Sequence, residues 1–178
     1  MISFNLKRVH ANRSCIHGIL SVPRFNFKCY TLELREGEDL LYKQNCSINL
    51  GNYILEPGFA QGSPMHPVFK RKPKGFAKRP ELRLDKADYM HLSTGDIALG
   101  ISKEDEFSLK QSFQFSDKFR EMCKDIFTRK EIVVLTVYKS RLFDYEDIGY
   151  EDTIRIYDDM NFIGDDDDEQ TELEHHEL

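Results

Sequence analysis

Ile2, Phe4 and Leu6 alternate with Ser3, Asn5 and Lys7 at the start of the chain, the period-two pattern of a strand with one buried face. Residues 15–22 and 27–34 carry β-branched or aromatic side chains in the same roughly alternating order. Between these runs lie Ala11-Asn12-Arg13-Ser14 and Pro23-Arg24-Phe25-Asn26, turn material of hairpin length. The pattern predicts strands over 2–9, 15–22 and 27–34 joined as an antiparallel meander.

The polar stretch 35–45 reads as a connection, and 49–55 predicts a further strand in which Gly51 marks a turn needing positive φ. From Gly58 to Pro80 the chain carries Pro64, Pro67, Pro73 and Pro80 together with Gly58, Gly62 and Gly75. Proline removes ladder donors, so no regular structure is expected there. Short strands fit 81–84, 89–92 and 97–101. The clearest helix is 116–128, where Phe119, Met122, Cys123, Ile126 and Phe127 recur at helical spacing. Ser116 is a suitable N-cap, Asp117 places negative charge in the first turn, and Arg129-Lys130 places positive charge at the far end. Residues 131–138 then read as a strand returning to the sheet. The expected fold is mainly β with one packed helix: a small twisted antiparallel sheet or partly open barrel, with the helix covering one side or one end.

Charge divides the chain. From Asp144 to Leu178 there are 15 Asp and Glu residues against Arg155 alone, a net of −14, leaving 24 basic and 16 acidic groups in the first 143 residues, a net of +8. The expected organisation is a β-rich globular domain over 1–140, an acidic, partly docked extension over 141–163, and a disordered acidic tail over 164–178. The run Asp165-Asp166-Asp167-Asp168-Glu169 has too little apolar surface to offset the entropy of ordering. Three readings of that run stay open: a solubilising tail, a docking peptide for a basic partner, or an internal mimic of nucleic-acid phosphate. The length suits one hydrophobic core. The longest apolar runs fall well short of the roughly 18 to 20 residues that cross a bilayer, and the alternating N-terminus is unlike an export signal. Cys15, Cys29, Cys46 and Cys123 lack metal spacing and sit in apolar contexts. Buried free thiols and a reducing cytoplasm are expected.

The order of short motifs resembles a known family. Leu6-Lys7-Arg8, Ile16-His17-Gly18-Ile19-Leu20, Cys29-Tyr30-Thr31-Leu32-Glu33, Leu50-Gly51-Asn52-Tyr53, Arg79-Pro80-Glu81-Leu82, and His91 followed by Gly95 to Gly100 are similar to an uncharacterised bacterial and phage domain-of-unknown-function family. The resemblance spans residues 4–138. That family carries a His-x-Gly-Asn element and then a Gly-Cys motif, which makes nucleophilic thiol chemistry conceivable, superficially like that of L,D-transpeptidases. Here the chain reads His91-Leu92-Ser93-Thr94-Gly95-Asp96. The Gly-Asn pair is missing, and Asp96 stands where the cysteine would be. A carboxylate cannot perform thiol acyl transfer, so the resemblance implies a copy without cysteine-dependent chemistry.

The weak catalytic candidates are His91, Asp96 and Ser93, since an aspartate can orient a histidine that activates a hydroxyl. Against this stands a structural reading, in which His91 faces solvent while Thr94 and Asp96 satisfy a tight turn. His10, His17, His66 and His91 show no ligand spacing, and neither a metal nor a cofactor is expected. The binding candidates are Lys70, Arg71, Lys72, Lys74, Lys78 and Arg79, with Phe69 and Phe76 interleaved. Such a cluster can contact phosphates and stack on bases, or be a solvated loop whose aromatics pin it to the body. The preferred expectation is a non-catalytic binding or interaction domain of bacterial or phage origin with a protein partner. The alternatives are a cell-wall-related hydrolase or transferase using His91 and Asp96, and a nucleic-acid-associated protein using the basic loop 70–79.

Overall fold

The structure is a computed structural model that describes residues 1–12, 14–35, 47–58, 66–76, 78–84 and 88–141. The predicted connection at 35–45 beyond Arg35, Cys46, the extension from residue 142 onward and the tail 164–178 lie outside the described residues.

The N-terminal meander forms as expected: β1 (Ile2–Ala11), β2 (Cys15–Val22) and β3 (Phe27–Leu34), with the 3-10 turn Pro23–Phe25 as its second connection. It is joined by β4 (Gly51–Gly58), β5 (His66–Phe69), β6 (Leu82–Arg83), β7 (Ile97–Gly100) and, after the hairpin of β8 (Ser102–Lys103) and β9 (Leu109–Lys110), by β10 (Val133–Lys139). These make one eight-stranded sheet in the order β5-β4-β10-β1-β2-β3-β7-β6, with β8 and β9 as a separate pair. The fold is mainly β with one helix, and the large sheet is nearly closed into a barrel. Its two end strands meet at a seam: the Phe69 N–H donates to the Pro80 carbonyl at 3.0 Å, and Val68 and Glu81 form an antiparallel bridge.

Two pairings are parallel, β1 with β10 and β6 with β7. Ile2, Phe4 and Leu6 of β1 register with Val133, Leu135 and Val137 of β10; all six are buried in the interior. Helix α1 (Phe113–Thr128) packs Phe115, Phe119, Met122, Cys123 and Ile126 onto this core, with the Phe115 ring stacked at 5.9 Å and the Phe119 ring tilted at 5.4 Å from the Phe27 ring. A second, smaller core lies on the outer face of β2, β3 and β7, where Cys15, Tyr30, Leu32 and Ala98 pack with Leu92 and Leu109.

Local expectations change in four places. The helix begins three residues earlier than predicted: Ser112 is its N-cap and accepts the Phe115 N–H, while Ser116 lies buried inside the helix. Starting there brings Phe115, four residues before Phe119, onto the apolar face. Residues 89–91 form a 3-10 turn instead of a strand, because the Asp88 carboxylate accepts the Met90 N–H at 2.8 Å and bends the chain. The proline-rich segment does contain a strand, β5, in which Pro67 faces Pro57. Proline is tolerated on this end strand, where ladder donors are fewest. The β8–β9 hairpin is an addition that no sequence signal marked.

An unforeseen buried ion pair crosses the meander. Arg8 on β1 donates from Nε and Nη2 to the two carboxylate oxygens of Glu33 on β3, at 2.9 and 2.6 Å, and Nη2 also donates to the Ile48 carbonyl at 2.6 Å. The Glu33 side chain is fully buried and that of Arg8 nearly so. The fork ties two strands separated by β2 to the segment that enters β4. Removing one partner of such a pair leaves an uncompensated buried charge, whereas replacing both with apolar residues is often tolerated. Glu33→Gln is expected to lower the unfolding free energy by about 3 kcal/mol in urea titration, and the double variant Arg8→Met/Glu33→Leu to recover most of that loss.

Candidate functional site

The basic cluster sits on the barrel seam. Residues 70–79 leave the end of β5 and return to the start of β6, so the Phe69–Pro80 hydrogen bond closes the base of a compact loop. Phe69 is fully buried and meets the Tyr53 ring in a tilted contact at 5.0 Å; Phe76 is also buried in the barrel core. Both aromatics therefore anchor the loop inward and present no face to a nucleic-acid base. The turn at Gly95 adopts φ +84°, and a Cβ there would lie 2.7 Å from the Phe76 ring and 2.8 Å from Pro80, so glycine is what allows the loop to seat against it.

The six cations divide into two groups. On the return arm, Lys78 Nζ lies 3.0 Å from Asp96 Oδ2, and Arg79 pairs with Glu56 of β4. On the outgoing arm, Lys70, Arg71, Lys72 and Lys74 are all exposed and make no ion pair among the described residues. The result is four exposed positive charges, unpaired among the described residues, on a loop whose base and return arm are pinned.

His91, Ser93 and Asp96 do not assemble into a relay. Asp96 is fully buried: Oδ1 accepts the Glu81 N–H at 3.2 Å, Oδ2 accepts from Lys78, and its own N–H donates to the Ser93 carbonyl at 3.0 Å. Burial raises its carboxyl above the usual range, an effect that Lys78 opposes. His91 ends the 3-10 turn with its side chain exposed, and its imidazole makes no hydrogen bond among the described residues. Asp96 works as a lock that joins the 93–96 turn, the first residue of the β6 arm and the returning basic loop.

Cys15, Cys29 and Cys123 are free and buried, and burial pushes the Cys15 thiol up to about 12 and the other two higher still. No group of three metal-ligating side chains occurs among the described residues. His10 and His17 stack at 6.2 Å, and His66 pairs with Glu81 at 3.0 Å. His17 Nε2 lies 2.9 Å from the Glu106 carbonyl, which can only accept, so Nε2 carries the proton. Burial, reinforced by Lys103, pushes this imidazole down to about 4.

Sequence reasoning missed a feature of the exposed surface. Leu50, Ile54 and Tyr138 are 49, 49 and 41% exposed on or beside β4 and β10. The alternation along β10 signals two faces, but nothing in the sequence says that the outer one would carry large exposed apolar side chains.

No family model, curated protein or solved structure matches the chain. No helix among the described residues is long and apolar enough to cross a membrane.

Two stability measurements separate these roles. Asp96→Ala leaves the Glu81 N–H without its acceptor and is expected to cost about 2 kcal/mol, whereas His91→Ala should stay within about 0.5 kcal/mol of the parent. Equal losses would instead mean that the two side chains act together. For His17, the unfolded chain takes up a proton near pH 6.5 that the folded chain refuses until about pH 4. Stability is therefore constant on this account above pH 6.5 and falls as pH drops from 6.5 to 4, by on the order of 3 kcal/mol. His17→Gln should flatten that part of the urea-midpoint profile.

Proposed function

We propose that the chain is a non-catalytic interaction domain that offers the outgoing arm of loop 70–79 to an acidic segment of a protein partner. The observation that carries this reading is the set of four exposed cations, Lys70, Arg71, Lys72 and Lys74, with no ion pair among the described residues, on a loop hydrogen-bonded across its base. A loop already held in shape loses little conformational entropy on binding. Its charges favour an acidic ligand and a fast, salt-sensitive encounter. The inward packing of Phe69 and Phe76 argues for a protein ligand over single-stranded nucleic acid, which is usually gripped by aromatic stacking as well as charge. The motif order over residues 4–138 supports a bacterial or phage origin, and the three free buried thiols support a cytoplasmic setting.

Fluorescence anisotropy of a labelled oligoglutamate peptide and of a single-stranded oligonucleotide of similar length, each titrated with the full chain, tests the reading. The peptide should bind with an affinity that falls as salt rises, and reversing Lys70, Arg71, Lys72 and Lys74 to Glu should weaken it roughly tenfold or more. Equal peptide binding by the parent and the reversed chain would remove the loop from the account. Tighter binding of the oligonucleotide than of the peptide would transfer the loop to nucleic acid.

A further inference from the structure

The outer surface of the barrel is not uniform. Over β2, β3 and β7, Leu92 and Leu109 complete the smaller core. Over β4, β10 and β1, alternation turns Asn52, Ile54 and Glu56, then Val134, Thr136 and Tyr138, then Ser3, Asn5 and Lys7 away from the interior. No described element covers them. Ile54 faces Val134, and its carbonyl accepts the Lys70 N–H at 2.8 Å, so the first cation of the basic loop lies directly beside the exposed Ile54. Two residues along, Asn52 faces Thr136, whose hydroxyl donates to Asn52 Oδ1 at 2.8 Å and keeps that rung polar. Leu50 and Tyr138 then flank the rung formed by Gly51 and Val137. Leu50, Ile54 and Tyr138 leave about half of their surface exposed. Glu56 is the one carboxylate among these outward positions, and Arg79 pairs with it.

This surface is complementary to an acidic segment that is also amphipathic. Charge alone accounts for the exposed cations of the loop. It does not account for the large apolar side chains beside them, and a contiguous patch of that kind marks an interaction site. We propose that the partner's acidic segment docks on the β4–β10 face as well as on the loop. A carboxylate-rich end meets Lys70, Arg71, Lys72 and Lys74, and two large apolar side chains cover Ile54 with Val134 and Leu50 with Tyr138. These apolar stations are four strand residues apart, about 13 Å. An extended partner presents such a pair at positions i and i+4, on one side of its chain. The cations set the rate and salt dependence of encounter, whereas the apolar contacts slow dissociation. The inference rests on the reading of the loop as an acceptor of acidic segments and names what else that segment carries.

Anisotropy titrations of three labelled peptides with the full chain test it. The first is oligoglutamate, the second joins the same run of glutamates to Leu-Ser-Thr-Ser-Tyr, and the third replaces that Leu and Tyr with Ser. The second should bind roughly tenfold tighter than the third. This ratio should persist at high salt, where screening weakens all three. Ile54→Ser/Tyr138→Ser should bring the ratio close to one and leave the oligoglutamate affinity unchanged, which shows the loop and the fold to be intact. A ratio near one in the parent, or a ratio that survives the double substitution, would overturn the proposal. So would concentration-dependent dimerisation of the parent that the double substitution abolishes, since the face would then belong to a second copy of the chain. The loop reading is decided separately: it fails if reversing Lys70, Arg71, Lys72 and Lys74 to Glu leaves oligoglutamate binding intact, whatever the ratio between the other two peptides.

Discussion

The short seam between β5 and β6 is the constraint on which the rest of the molecule depends. An open eight-stranded sheet leaves two rows of unpaired backbone groups, and closure removes that liability. Here closure rests on the Phe69–Pro80 hydrogen bond and the Val68–Glu81 bridge. Because β5 precedes β6 in the chain, the two sheet ends are covalently joined by the loop 70–79 that leaves one and enters the other. The loop with the exposed charges is thus a by-product of closing the barrel. Its geometry is inherited from the most constrained place in the fold.

Closing the barrel also dictates what its interior holds. Most inward positions are apolar, and α1 packs Phe115 and Phe119 against Phe27 within the same core. Arg8 and Glu33 place a charged pair among them, and their fork reaches over β2 and out to the Ile48 carbonyl. A buried pair of this kind adds little net stability over a hydrophobic replacement. It does penalise alternatives: any one-residue slip of β1 or β3 would turn one charge outward and leave the other buried alone. The pair therefore fixes register in the meander, and with it the frame on which the seam closes.

Much of this was legible from alternation alone. The strands 15–22 and 27–34 coincide with the predicted ones because their turns are short and their pattern is local. The helix was legible in kind but not in its start, since Ser112 and Ser116 are both competent caps and the choice was decided by burying Phe115. Parallel pairing of β1 with β10 was not legible, because it joins the two ends of the domain and no local signal encodes a partner so distant. β5 was hidden by Pro67, whose cost disappears only on a strand that terminates a sheet. Arg8 and Glu33 did leave a trace: each falls on the inward phase of its strand, in opposite charge, where the period-two pattern calls for an apolar residue.

Asp96 shows how burial commits a carboxylate to the donors that the fold brings to it. Gly95 supplies a left-handed turn into which Phe76 packs, and the next residue must point its side chain beneath the returning loop. A carboxylate there meets two donors that the closed barrel has already brought together, the Glu81 N–H and Lys78. Satisfying them fixes the Ser93–Asp96 turn and the return arm in one step. The same burial that raises the Asp96 carboxyl and commits it to these donors removes it from the exposed His91 imidazole. It also pairs Lys78, which leaves Lys70, Arg71, Lys72 and Lys74 as loop cations with no ion pair among the described residues. The residue with most apparent chemistry thus acts within the fold, holding the return arm of the loop against the 93–96 turn.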